Sequence, residues 1–119
     1  MTTGRATILV VDDDPVVRAA LLQFLDEDGY RALGAENGRE ALALVESEAP
    51  RLILLDLMMP VMDGWQFLEE WKGRPQKQRC PVVLLSGLAF IQDAPGVADF
   101  LSKPVDVGKL VACVRRFCP

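Results

Sequence analysis

Four consecutive aliphatic residues, Leu52 to Leu55, run without interruption into an aspartate, Asp56. An unbroken apolar run of that length reads as a strand buried on both faces, the pattern of a parallel sheet covered by helices. An ionisable group directly after buried aliphatics costs free energy unless a cation, a hydrogen bond or the solvent-facing strand end relieves it. Asp56 is therefore expected at the strand's carboxyl end, facing a cleft. Met58, Met59 and Pro60 follow as a loop, since Pro60 lacks a backbone donor, and Asp63 is placed to cap the next helix. Taken alone, Asp56 reads more readily as a solvated strand-end residue; the other apolar runs reverse that reading.

Ile8 to Val11 is a second apolar run ending in acid, here Asp12, Asp13 and Asp14, followed by Pro15. The pattern predicts strand, acidic loop, then helix. Asp14 serves as N-cap with Pro15 at the first helical position, and Val17, Leu21, Phe24 and Leu25 recur at helical spacing until Gly29. Tyr30 to Ala35 is a weaker strand, and Asn37 with Glu40 resembles a capping box opening a helix to about Glu48. Past Asp56, the helix from Gly64 to about Lys72 carries Trp65, Phe67, Leu68 and Trp71, with both tryptophans expected to pack inward. Val82 to Leu85 is a third buried strand, delivering Ser86 at its end. Phe100 and Leu101 form a short last strand before Ser102, Lys103 and Pro104. Asp106 then caps a helix whose Leu110, Val111, Val114 and Phe117 are its expected inner face.

Five strands alternating with helices, with no repeats or low-complexity segments, predict an α/β, flavodoxin-like, doubly wound three-layer sandwich around a parallel sheet. Right-handed crossovers bring every strand's carboxyl end to one edge. Asp12, Asp13, Asp56, Ser86 and Lys103 should converge there. In the strand order 2-1-3-4-5 ligands bind between strands one and three, the two strands that carry the acids.

A chain of 119 residues holds one domain's worth of core, and no stretch approaches the roughly 18 apolar residues of a membrane span. The N-terminus lacks the long apolar segment of a signal peptide, so a soluble, cytoplasmic protein is expected. Lys and Arg total 13 and Asp and Glu 17, a net charge of −4 that disfavours direct nucleic acid binding. Cys80, Cys113 and Cys118 lack zinc-site spacing, no histidine completes such a site, and the thiols are expected to be reduced and structural. The absence of histidine also removes Ser-His-Asp chemistry. Carboxylates, hydroxyls, lysine and a metal remain. Three carboxylates in one crevice repel one another unless a cation is present, and Mg2+ suits them, needing only one or two carboxylates and taking its other ligands from water and a phosphoryl group. Lys103 offers a point charge and Ser86 a hydroxyl donor to phosphoryl oxygens, and one carboxylate could itself be the nucleophile, giving an aspartyl-phosphate.

Across the whole chain these pieces resemble the CheY-like receiver domain of bacterial response regulators. VVDDDP is similar to the family's acidic pair, LLDLMMPVMDG to its phosphoacceptor segment, SG to its Ser/Thr-small pair and GVADFLSKP to its Lys-Pro segment. The resemblance implies a single receiver domain over 1–119, with Asp56 accepting phosphate from a partner's phosphohistidine. It implies that Asp13, Asp56 and the backbone carbonyl of Met58 ligate Mg2+, while Asp12 acts through a metal-bound water. Lys103 would pair with the phosphoryl group, Ser86 and Phe100 would form the switch, and the Lys103–Pro104 bond would be cis. Met58 and Leu88 would border the water that attacks the phosphorylated form, and both are apolar. Implied partners are a sensor histidine kinase or histidine phosphotransfer protein and a downstream effector, with room for a phosphorylation-dependent dimer, and with neither nucleic acid nor membrane bound directly.

Two departures bear on the output face. Phe100 has no hydroxyl where the family often has tyrosine. Only eleven residues, 88 to 98, stand where the family fits a full fourth helix, so that helix is expected to be shortened or missing. Two alternatives remain open: a Mg2+-dependent aspartyl-phosphate phosphatase, disfavoured because position 58 is Met instead of a second acid, and a receiver-like interaction domain that is never phosphorylated.

Overall fold

The three apolar runs and the two weaker segments each form a strand: β1 (Thr7–Val11), β2 (Arg31–Ala35), β3 (Leu52–Asp56), β4 (Val82–Ser86) and β5 (Asp99–Ser102). In the computed structural model they pair in parallel in the order β2-β1-β3-β4-β5, the doubly wound order expected. The structure describes residues 6–57, 59, 62–75, 80–86 and 97–118. Alternation along the strands splits the core in two. Leu9, Val11, Ile53, Leu55, Val82 and Leu84 pack against α2 (Gly38–Glu48) and α3 (Gly64–Lys72). Ile8, Val10, Leu52, Leu54, Val83 and Leu85 pack against α1 (Pro15–Glu27) and α4 (Val107–Phe117).

The helix starts follow their caps. Asp14 accepts from the N–H of Val16 at 2.9 Å with Pro15 next, and Asp106 accepts from Lys109 N–H at 3.0 Å. Asp63 accepts from Gln66 N–H at 2.9 Å while the Gln66 side chain accepts from Asp63 N–H at 3.0 Å, a complete capping box. At α2 the expected box is only half formed. Asn37 accepts from Glu40 N–H, but the Glu40 carboxylate accepts from the N–H of Glu36, because the extended cap residue brings that donor within reach. Gly29, at φ +94°, turns the chain out of α1 in a conformation that residues with a Cβ rarely adopt.

Two packing expectations are corrected. Trp65 is 42% exposed: Gly64, Phe67, Leu68 and Trp71 make the inward stripe of α3, and position 65 lies further round the helix. Trp71 does pack inward, stacked on Phe67 with ring centroids 5.9 Å apart. On α4 the buried positions are Leu110, Cys113 and Val114, while Val111 and Phe117 are half-buried. The cysteines carry free thiols, and burial pushes the Cys80 thiol up to about 12, leaving it unreactive at neutral pH. No helix among the described residues is long and apolar enough to cross a membrane. Four helices stand among the described residues; of the segment 88–98, where the fourth helix is expected to be shortened or missing, 88–96 lie outside them and Val97 and Ala98 are not helical.

Candidate functional site

Strand register assembles the site. Val11 lies opposite Leu55, so the next residue on each strand, Asp12 and Asp56, become neighbours at the carboxyl edge. By the same alternation both fall on the α1 and α4 side, as does Lys103, two residues after the inward-facing Leu101 of β5. Asp12 is fully buried and Asp56 is 5% exposed. The Lys103 ammonium bridges them, 2.8 Å from Asp12 Oδ2 and 3.5 Å from Asp56 Oδ2. Asp13, the next residue, is exposed, and one carboxylate oxygen from each of Asp12, Asp13 and Asp56 lies within 4.8 Å of the others.

Electrostatics explain the bridge. Burial pulls the Lys103 ammonium down, but its hydrogen bond to Asp12 and the charges of Asp12 and Asp56 outweigh burial and hold it above its ordinary value of 10.5. Lys103 is therefore charged throughout the neutral range. Both Asp12 carboxylate oxygens are engaged, since Oδ1 also accepts from Asp14 N–H at 3.0 Å.

The loop after Asp56 is held at both ends by close glycine contacts. Gly64 N–H donates to Leu57 O at 3.0 Å, and a Cβ there would lie 2.7 Å from both the Asp56 carbonyl oxygen and Leu57 Cα. Gly38 N–H donates to Met62 O at 2.8 Å, where a Cβ would meet Met62 Cγ at 2.7 Å. Ser86 is buried at the end of β4, and its carbonyl accepts from Lys103 N–H at 2.8 Å. Its position in the alternation places it on the face of Leu84, which half-buried Phe100 shares. The Lys103–Pro104 peptide is cis. Asp14 is the cap of α1, as expected. Met58 and Leu88 lie outside the described residues.

Sequence reasoning missed the glycine contacts and Arg18, whose Nη1 donates to the Asp12 carbonyl oxygen at 2.7 Å. For Gly64 a signal existed, a glycine directly after an N-cap. A single arginine on a helix surface carries none.

The donor set fits a hard cation. All three are carboxylate oxygens, the hard donors that Mg2+ takes, and they lie within 4.8 Å of one another. Acids gathered at the switch point of a doubly wound sheet, with a lysine held among them, mark a phosphate-handling signalling module. The chain belongs to the response regulator receiver domain family, whose family model matches residues 8–115.

Sporulation initiation phosphotransferase F of Bacillus subtilis is 33% identical over 115 residues, covering 94% of this chain and 93% of that protein. The DNA-binding dual master transcriptional regulator RpaA of Synechocystis is 35% identical over 113 residues, covering 91% of this chain but 47% of that protein. The chain thus spans nearly the whole of some curated relatives and about half of others. Among solved structures, the receiver domain of sensor histidine kinase PA1611 from Pseudomonas aeruginosa, with a magnesium ion coordinated in its active site cleft, superposes with a TM-score of 0.87 at 28% identity, covering 98% of each chain. Relatives of this kind are response regulators and sensor-kinase receiver domains, and the chain is a phosphoacceptor module of two-component signalling.

Proposed function

We propose that Asp56 is the phosphoacceptor and that a sensor histidine kinase or histidine phosphotransfer protein supplies the phosphoryl group in the cytoplasm. The observation that carries this reading is the Asp56 carboxylate at the end of β3, 3.5 Å from the Lys103 ammonium and clustered with Asp12 and Asp13. An Asp56 carboxylate oxygen attacks phosphorus, the bond from phosphorus to the donor's imidazole nitrogen breaks, and that nitrogen keeps the electron pair. Lys103 neutralises charge on the transferring oxygens and Ser86 donates its hydroxyl to one of them. Asp13, Asp56 and the Met58 carbonyl would hold Mg2+, with Asp12, whose two oxygens already accept from Asp14 N–H and Lys103, contributing through water. When bound, Mg2+ neutralises the acids and the phosphoryl oxygens, which lets two anions meet.

The chain then acts as a phosphoacceptor taking part in its own phosphorylation and dephosphorylation, and passes the change through Ser86 and Phe100 to an effector surface. Met58 and Leu88, being apolar, neither orient nor admit the hydrolytic water well, which favours a long-lived phosphoprotein. Acetyl phosphate with Mg2+ tests the acceptor directly: intact-mass spectrometry should show one added phosphoryl group in the wild type and none in Asp56→Asn. Wild-type uptake in Asp56→Asn refutes the assignment.

A further inference from the structure

Arg18, on the second turn of α1, lies outside the acid cluster but grips its backbone. Its Nη1 donates to the carbonyl oxygen of Asp12 at 2.7 Å. Every other polar atom of Asp12 is also held: its N–H donates to Ala35 O at 3.0 Å, Oδ1 accepts from Asp14 N–H, and Oδ2 accepts from Lys103. The anchored carbonyl belongs to the planar peptide joining Asp12 to Asp13, so fixing its oxygen fixes the plane from which the Asp13 side chain departs. Asp13 is exposed, and its backbone sets the direction in which its Cα–Cβ bond leaves the chain toward the site. Gly34 of β2 leaves the lane that the arginine stem occupies; a Cβ there would lie 3.2 Å from Arg18 Cδ.

We propose that Arg18 is a positioning residue for metal binding: its hydrogen bond to the Asp12 carbonyl sets the Asp12–Asp13 peptide and so aims the Asp13 carboxylate into the site. The inference rests on the reading of Asp13 and Asp56 as Mg2+ ligands. Charge alone predicts the opposite of positioning. A guanidinium beside the acids repels Mg2+, so if charge were its only effect, neutralising Arg18 would tighten binding.

The test is calorimetric titration of the full chain with Mg2+ in wild type, Arg18→Met and Arg18→Lys. Methionine keeps the apolar stem but loses the donor, and its Kd should rise about tenfold, the low end of the range seen when groups orienting metal ligands are removed. Lysine, which keeps a donor, should recover most of the loss. In acetyl phosphate reactions the Mg2+ concentration for half-maximal rate should rise in Arg18→Met by the same factor, and the rate at saturating Mg2+ should fall by less. If wild type binds Mg2+ and Arg18→Met binds it equally or more tightly, the role of Arg18 is overturned while the site reading stands. If wild type binds no Mg2+, the site reading is overturned and this inference with it.

Discussion

Replacing Lys103 with methionine keeps a linear apolar stem and deletes the ammonium between Asp12 and Asp56, 2.8 and 3.5 Å away. Two buried carboxylates are then left facing each other. At an effective dielectric of about 20, the lost attractions amount to roughly 6 and 5 kcal/mol gross, much of it offset by the desolvation that the ammonium no longer suffers. Breaking a buried pair by removing one partner typically costs about 3–5 kcal/mol. The lysine side chain is 25% exposed and partly screened by water, so the low end, about 3 kcal/mol, is expected. Against a total stability of about 5–15 kcal/mol this is a large loss.

Urea unfolding followed by tryptophan fluorescence should show it as a midpoint lowered by at least about 1 M, given an m-value of about 1–3 kcal/mol/M. The pH dependence has a definite sign. The Lys103 value is raised in the folded state, so its contribution is fully present below the ordinary value of 10.5 and is lost as pH rises through the higher folded value. The gap between wild type and variant should therefore persist through neutral pH and close in alkali. Added Mg2+ should stabilise the variant more than the wild type, as the acids then lack the Lys103 ammonium. A loss below about 1 kcal/mol at pH 7.5 without Mg2+, or a gap that stays unchanged as pH rises past the ordinary lysine value of 10.5 and through the higher folded one, refutes the reasoning.

Asp13→Asn should abolish most of the rise in melting temperature that Mg2+ gives the wild type, while leaving the metal-free protein no less stable, since one repelling charge is gone; paired thermal melts with Mg2+ and with chelator check both halves. Gly64→Ala places a Cβ 2.7 Å from two backbone atoms of residues 56 and 57, so it should cost about 1–3 kcal/mol in denaturant melts and slow acetyl phosphate uptake by shifting the Asp56 strand end. Gly73→Ala, whose Cβ would meet Glu70 O at an ordinary 3.5 Å, is the near-neutral control.

β1, β3 and β4 were legible because burial on both faces gives each a run of four apolar residues, while β2 and β5, only partly buried, carry weaker patterns; the caps were legible because Asp14, Asn37, Asp63 and Asp106 each precede a helical stripe. Side-chain facing on the shorter helices was less legible. Trp65 has the composition of a core residue, but a stripe of four residues on one face of α3 satisfies the sheet without it. Cys113 was passed over on α4 in favour of Val111 and Phe117, although it lies three residues past Leu110 on the buried side. Contacts such as Arg18 to the Asp12 carbonyl depend on where a helix lies across a neighbouring strand, and no local pattern encodes that placement.

The acid pair could be placed from sequence because its geometry rests on register, and register here is strongly determined. Ile8–Val11 of β1 and Leu52–Leu55 of β3 are apolar and buried at every position, with Ile8 opposite Leu52 and Val11 opposite Leu55. A slip of one residue would send each strand's side chains to the opposite layer, replacing the fit of Ile8, Val10, Leu52 and Leu54 against α1 and α4 with a different set of shapes. It would also separate Asp12 from Asp56 and leave one of two buried carboxylates without the Lys103 ammonium, a penalty of the size worked out above. Core packing and the charge bridge thus select the same register, and the residues that cost most to bury are the ones that the fold places most narrowly.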